Sequence, residues 1–169
     1  MLKSIAFVIC FKFVGLYLFA QTDVSLPPYK RFTSFPPVKL LKPDSTIFDK
    51  NELPKKNAVM LMLFNPQCSH CQHETEEMIK NIDAFKKIQI VMSTTMDYDS
   101  MVAFTEKYEL NQYPNIVVGR DIHYFLPSFY KISNLPYLAF YSKNKELIST
   151  FEGALPIPQI IKVFAKKDE

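Results

Sequence analysis

Residues 58–71 read AVMLMLFNPQCSHC, so an uninterrupted apolar run is followed closely by two cysteines. The run from Ala58 to Phe64 predicts a strand buried on both faces, because a strand with one solvent-exposed face alternates apolar and polar residues. Asn65 and Pro66 end the run. Strands of this kind are typical of sheets that are covered by helices on both sides.

The residues after the first cysteine predict an amphipathic helix. Apolar side chains recur there with the period of about 3.6 residues that places them on one helical face. That face consists of Cys71, Thr75 (through its methyl group), Met78, Ile79, Ile82 and Phe85. Acidic residues come early in the segment and lysines come later, which suits the helix dipole. Cys68 is therefore expected at the helix N-terminus, and Cys71 on the buried face.

The rest of the chain predicts an α/β fold in which a mixed sheet is flanked by helices. We expect β-hairpins over 38–48 and 138–151, of which the first is an N-terminal extension of the sheet. Further strands are expected at 88–92 and 116–118, and helices at 99–108 and 157–165. Asp99 or Ser100 is the expected cap of the first of these helices. Residues 121–132 leave helix and loop open, because Pro127 divides or starts a helix there.

Composition and charge are those of one globular domain. The chain has 169 residues, 48% of them hydrophobic and 22% charged, which excludes a disordered protein. A net charge of +3, without a block of basic residues, argues against nucleic-acid binding. Only 3 glycines are present, and neither GxGxxG nor GxxxxGK[ST] occurs, so a glycine-rich nucleotide loop is not expected.

The first twenty residues form a separate segment. Lys3 precedes an apolar run that is interrupted by Lys12 and ends at Ala20, before polar Gln21. This pattern predicts a secretory signal peptide at 1–20, which leaves the mature protein periplasmic or secreted. A retained anchor is the alternative, and only then would the protein contact a membrane. We expect an extended, proline-containing arm at 21–37 and the folded domain at 38–169.

Cys68 and Cys71 are the cysteines that remain after such a cleavage. An even pair, three positions apart in an oxidising compartment, indicates redox chemistry. Two thiols at the start of a helix can close a small disulfide ring, and the helix dipole there stabilises a thiolate on the first of them. His70 lies between them and can add to this stabilisation through a charge or a hydrogen bond.

A structural disulfide and a zinc site are the alternatives for these cysteines. Zinc takes four tetrahedral ligands, and the local candidates are Cys68, His70, Cys71 and His73. Four ligands within six residues at a helix start cannot readily surround one ion. Neither a metal nor a cofactor is therefore predicted.

Three segments together resemble the thioredoxin superfamily, and within it the extracytoplasmic TlpA/ResA-like (redoxin-like) thiol-disulfide oxidoreductases. They are FNPQCSHC at 64–71, YKISNLPYL at 130–138 and FEG at 151–153. The resemblance implies a thioredoxin-like fold over about 38–165, and a redox-active Cys68–Cys71 disulfide that acts on protein thiols and disulfides with an unidentified redox partner. It also implies a cis peptide bond at Pro136, a Leu135 backbone that binds substrate, and an acid at Glu74 beside the active site.

The sequence also departs from the family pattern, and alternatives stay open. Gln67 replaces the tryptophan that commonly precedes the first cysteine, and Met62 replaces the buried aspartate of thioredoxin. For Glu74, the alternative is a surface acid that interacts with the helix dipole. For His70, the alternative is a loop residue without a role. The dithiol resembles that of oxidants and the rest of the chain resembles reductants, so the sequence does not determine the redox direction.

Two other functions on the same fold are also open. A Sco-like copper chaperone would use both cysteines and a distant histidine, for which His123 is the candidate. That family separates its cysteines by three residues and not two. A peroxiredoxin-like peroxidase matches less well, because Asn65 and Leu61 stand where it needs Thr or Ser and Pro.

Overall fold

The buried strand predicted at 58–64 lies near the centre of a seven-stranded mixed sheet. The computed structural model describes residues 26–165, so the predicted signal peptide lies outside the described residues. In chain order the strands are β1 (Lys39–Leu41), β2 (Ile47–Asp49), β3 (Ala58–Leu63), β4 (Ile88–Thr94), β5 (Ile116–Arg120), β6 (Tyr137–Tyr141) and β7 (Leu147–Glu152).

The strand order across the sheet is β2-β1-β5-β4-β3-β6-β7. Strand β3 pairs in parallel with β4, which pairs in parallel with β5, whereas β6 runs antiparallel to β3. The carboxyl ends of β3, β4 and β5 therefore meet the start of β6 at one edge of the sheet. Strand β7 is antiparallel to β6 and ends at the same edge.

Helices cover both faces of this sheet. They are α1 (Pro28–Arg31), α2 (Ser69–Lys80), α3 (Tyr98–Lys107), α4 (Phe125–Tyr130) and α5 (Ile157–Ala165). Alternate residues of β3 point to opposite sides, so Met60 and Met62 pack in the core layer with α2, α3 and α5, while Val59 and Leu61 pack in the layer with α4. Burying each such side chain contributes about 1.5–3 kcal/mol.

The predicted fold class is confirmed, with differences at helix ends. Helix α3 is capped by Asp97, and not by Asp99 or Ser100, because the Asp97 carboxylate accepts hydrogen bonds from the Ser100 amide at 2.8 Å and hydroxyl at 2.7 Å. Helix α2 ends at Lys80, and a 3-10 turn at Ile82–Phe85 continues the predicted apolar face. The ambiguous segment 121–132 contains α4.

The region predicted as an extended arm is not extended throughout. One helical turn, α1, interrupts it, because Pro28 at the first helical position already has the required φ. The arm packs on the domain, where Phe35 is buried and the ring of Tyr29 contacts the ring of Tyr130. The Thr33 carbonyl also accepts a hydrogen bond from the Leu147 amide at 2.8 Å. Within residues 26–165, no helix has the length and apolar character to cross a membrane.

Gly119 on β5 leaves no room for a side chain. A Cβ atom there would lie 2.6 Å from the Cβ of Leu40 and 3.3 Å from the Leu41 carbonyl oxygen. Leu40 is fully buried on β1, so it cannot move aside without disturbing the core. We expect Gly119→Ala to lower the free energy of unfolding by about 1–3 kcal/mol, as overpacking does. Urea unfolding checks this, and a loss below about 0.5 kcal/mol, the usual range for surface substitutions, would contradict the fit described here.

Candidate active site

Cys68 lies at the sheet edge where β3 ends and α2 begins. Asn65 forms the connecting turn: its side-chain oxygen accepts from the Gln67 amide at 2.9 Å, and its carbonyl accepts from the Cys68 amide at 3.0 Å. The Cys68 carbonyl then accepts the first bond of the helix, from the Gln72 amide at 3.0 Å. Cys68 is thus the N-cap residue of α2, at the helix N-terminus as expected, next to the first amides of the helix, which have no partner within the helix.

The two cysteines differ in exposure. Cys68 is partly exposed, whereas Cys71 is completely buried one turn into α2, and both are free thiols. The pKa of Cys71 is raised to about 12, mainly by burial and to a smaller extent by the nearby Cys68 and Glu74, while the Asn65 amide opposes the shift. Cys71 is therefore protonated at neutral pH, and only Cys68 is accessible to another protein.

The loop before β6 lies against Cys68. The Leu135–Pro136 peptide bond is cis, which confirms the expectation for Pro136. The Cys68 thiol donates a weak hydrogen bond to the Leu135 carbonyl oxygen, with an Sγ–O distance of 3.9 Å. The Pro136 carbonyl accepts from the Gly153 amide at 2.7 Å, so β7 fixes the other side of this loop. The structure thus brings Cys68, Cys71, Leu135 and Pro136 together.

Glu74 is a buried carboxylic acid in the same helix, one turn after Cys71. Only 2% of it is exposed, so it is not a surface acid of the first helical turn. Its Oε2 accepts from the Leu155 amide at 2.8 Å, and its buried Oε1 has no hydrogen-bond partner among residues 26–165. Burial raises the pKa of Glu74, against the opposing effects of the Leu155 amide and His73. Burial therefore favours the protonated form of Glu74 more than it would for a surface glutamate.

The histidines do not join this group. His70 is exposed, and in the described part of the chain no hydrogen bond or ion pair links it to either cysteine. His73 and His123 are also exposed, and His123 belongs to the loop between β5 and α4. Within residues 26–165, no cluster of three or more His, Cys, Asp or Glu side chains is placed to hold a metal ion.

Sequence reasoning missed several groups that shape the site. The amides of Asn65 and Leu155 act on Cys71 and Glu74, and a backbone amide leaves no signal in residue type. In the sequence Glu152 is only the middle residue of the FEG segment, yet its carboxylate accepts hydrogen bonds from the loop that precedes Pro136. Its position beside Gly153, at the end of a predicted strand, was the one signal available.

The fold agrees with that of several solved structures. A secreted disulfide oxidoreductase of Mycobacterium tuberculosis, homologous to Escherichia coli DsbE, is 19% identical over 77% of this chain and 96% of its own, with a TM-score of 0.64. DsbF of the same organism is 15% identical over 77% and 94%, with a TM-score of 0.65. StoA of Bacillus subtilis is 16% identical over 76% and 98%, with a TM-score of 0.56.

These similarities show that the chain has a thioredoxin-like fold, as the resemblance implied. No family model matches the sequence. No curated protein sequence matches it either. Identities of 15–19% establish shared architecture, so the chemistry of this chain has to be argued from its own residues.

The raised pKa of Glu74 predicts how stability changes with pH. A buried acid with a raised pKa binds more protons in the folded than in the unfolded state, so it lowers stability as pH rises above its ordinary value of 4.5. Glu74→Gln removes this effect. We therefore expect the free energy of unfolding of the variant, relative to wild type, to increase from pH 4 to pH 7, as measured by urea unfolding at each pH.

Glu77→Gln is the matched control on the same helix. The pKa of Glu77 is lowered by its hydrogen bond and ion pair with Lys80 at 2.7 Å, so the control should show the opposite trend with pH. Parallel pH curves for the Glu74→Gln variant and wild type would mean that the Glu74 carboxyl is not perturbed by its burial.

Proposed function

We propose that this protein is an extracytoplasmic thiol-disulfide oxidoreductase whose Cys68–Cys71 couple acts on protein substrates. The observation that carries the proposal is the unequal burial of the two thiols on a thioredoxin-like fold. Cys68 is accessible at a helix N-terminus beside the cis-proline, and Cys71 is enclosed one turn behind it. Thiol-disulfide exchange needs such a pair: the exposed sulfur attacks the client, and the buried sulfur then resolves the mixed disulfide.

The exchange proceeds in two steps. The Cys68 thiolate attacks one sulfur of a client disulfide, forms a mixed disulfide and releases the first client thiolate. Cys71 loses its proton and attacks the Sγ atom of Cys68, which closes the Cys68–Cys71 disulfide and releases the second client thiolate. The client gains two electrons and, with two protons, becomes a dithiol. The reverse sequence oxidises a client dithiol, and the reduction potential of the couple relative to its redox partner determines the direction.

Glu74 supplies the proton transfer that this scheme requires. Cys71, with a pKa of about 12, is a poor nucleophile at neutral pH until a base removes its proton. Glu74 lies three residues further along α2, on the same helical side, and its raised pKa suits a group that alternates between acid and base. We assign Glu74 the transfer of the Cys71 proton, and Leu135 and Pro136 the binding of the client backbone next to Cys68.

The proposed cellular location rests on one prediction and one comparison. The first is the predicted signal peptide at 1–20, and the second is the secreted M. tuberculosis oxidoreductase among the proteins of similar fold. An oxidising compartment also gives a dithiol couple its substrates. The proposed partners are proteins with exposed disulfides or thiols, together with a redox partner that resets the couple.

Three assays on one preparation separate this function from the alternatives. The oxidoreductase should catalyse the reduction of insulin disulfides by dithiothreitol. A copper chaperone would instead bind Cu(I) tightly and leave insulin unchanged, and a peroxidase would consume hydrogen peroxide. Copper binding or peroxide turnover without insulin reduction would contradict the proposal.

Trapping of intermediates tests the roles of the two cysteines. The Cys71→Ser variant can still attack a client but cannot resolve the mixed disulfide, so it should accumulate a covalent complex with a disulfide-containing protein. Cys68→Ser should form almost none, because Cys71 is buried. Non-reducing gel electrophoresis followed by mass spectrometry measures both. Stronger trapping by Cys68→Ser would reverse the assignment.

His70 is the proposed electrostatic contributor to the couple. A positive charge on His70, in the first turn of α2, would stabilise the Cys68 thiolate, and hence the reduced form, by about 0.3–1 kcal/mol. His70→Ala should then lower the reduction potential by about 5–20 mV, measured in glutathione buffers. His123→Ala changes an exposed histidine outside α2, in the loop between β5 and α4, so it is the control and should leave the potential unchanged. Equal potentials for wild type and the His70→Ala variant would mean that His70 has no role in the couple.

A further inference from the structure

Residues 133–136, here called the cis-proline loop, are held by a carboxylate from the end of β7. Glu152 Oε1 accepts a hydrogen bond from the Ser133 amide at 3.3 Å. Its Oε2 accepts from the Asn134 amide at 3.1 Å and from the Asn134 side-chain Nδ2 at 3.2 Å. One exposed carboxylate thus accepts from three donors of the loop, two of which are consecutive backbone amides.

The next residue of the chain holds the far end of the same loop. The Gly153 amide donates to the Pro136 carbonyl at 2.7 Å. Leu135 lies between the residues that Glu152 binds and the residue that Gly153 binds, and its carbonyl is the acceptor of the Cys68 thiol. The position of the Leu135 backbone relative to Cys68 is therefore determined by two neighbouring residues at the end of one strand.

We propose that Glu152 is a positioning residue that sets the cis-proline loop for binding of an extended client segment, an inference that rests on the proposed oxidoreductase function. A client that pairs with the Leu135 backbone needs that backbone already fixed, because ordering a mobile loop on binding weakens affinity. Glu152 contributes no atom to the exchange of sulfurs. Its effect is expected in substrate binding and not in the chemical step.

A carboxylate suits this position better than its amide analogue. All three partners are donors, and an ionised carboxylate only accepts hydrogen bonds. Glutamine has one acceptor oxygen and an NH₂ group that would face a donor, so Glu152→Gln must lose at least one of the three bonds. Glu152 is exposed and belongs to neither core layer, so the variant should fold.

Glu146→Gln is a matched control. Glu146 is an exposed acid directly before β7, at the opposite end of the same hairpin, and it accepts from the Thr33 hydroxyl at 2.9 Å. The control therefore makes the same change of charge in the same hairpin, away from the active site.

The test compares two disulfide substrates, the first turned over with dithiothreitol as the reductant that regenerates the Cys68–Cys71 dithiol, and the second reacted once with reduced protein from which dithiothreitol has been removed. One is a peptide of about ten residues with one internal disulfide, long enough to add an extended strand. The other is 5,5′-dithiobis(2-nitrobenzoate), a disulfide without a peptide backbone. We expect Glu152→Gln to raise the KM for the peptide about three- to tenfold, the factor that a lost hydrogen bond produces, with kcat unchanged. The rate with the small disulfide should stay at the wild-type value for both variants.

Amide hydrogen exchange measures the loop independently of activity. Exchange at Ser133 and Asn134 should be faster in Glu152→Gln than in wild type and unchanged in Glu146→Gln. If the wild type is active but Glu152→Gln leaves the KM for the peptide unchanged, the positioning role alone is overturned. The same holds if Glu152→Gln lowers the activity equally with both substrates. A wild type that reduces neither substrate, with loop amides that still respond to Glu152→Gln, would instead overturn the oxidoreductase function.

Discussion

Strand β3 is buried on both faces and hydrogen-bonded on both edges, and the candidate site depends on that enclosure. Its partners are β4 on one side and β6 on the other, in continuous register from Val59 to Leu63. Any shift of β3 by one residue would move its apolar side chains to the wrong core layer. The carboxyl end of the strand, and with it the Asn65 turn and Cys68, is therefore fixed relative to the start of β6, where Leu135 and Pro136 lie.

The same enclosure gives two chemically identical thiols different exposure to solvent. Cys68 is partly exposed at the start of α2, next to the cis-proline loop. Cys71 lies one helical turn further along α2 and is buried in the core. Burial that stabilises the fold also keeps Cys71 protonated and raises the pKa of Glu74 beside it. Because the pKa of Glu74 is raised, its carboxyl is expected to lower the stability of the fold as pH rises above its ordinary value.

Most of the fold could be predicted from the sequence because its signals are local. The apolar run at 58–64, the periodic helix after Cys68 and the two hairpins all depend on neighbouring residues, and the structure contains each of them. The cis bond at Pro136 was expected only through the family resemblance. Helix caps were less predictable, since Asp97, Asp99 and Ser100 all have side chains suited to capping.

The family resemblance pointed to Glu74, but the contacts that support the site could not be predicted, because they join distant segments. Glu74 pairs with an amide 81 positions away, and Glu152 binds backbone amides 18 and 19 positions before it. Without the resemblance, nothing in the local sequence distinguishes the buried Glu74 from Glu76 or Glu77, which are not buried. The roles of Glu74 and Glu152 follow from where the sheet brings the ends of its strands together.

The central claim is that Cys68 and Cys71 form one reversible dithiol couple, and a redox titration tests it most directly. The protein is equilibrated with glutathione buffers of graded ratio, quenched in acid and alkylated, and the peptide that contains both cysteines is weighed by mass spectrometry. The account predicts that both thiols disappear together in a single two-electron transition as the Cys68–Cys71 disulfide forms. Two thiols that stay free at every ratio, or a glutathione adduct on Cys68 beside a free Cys71, would contradict it.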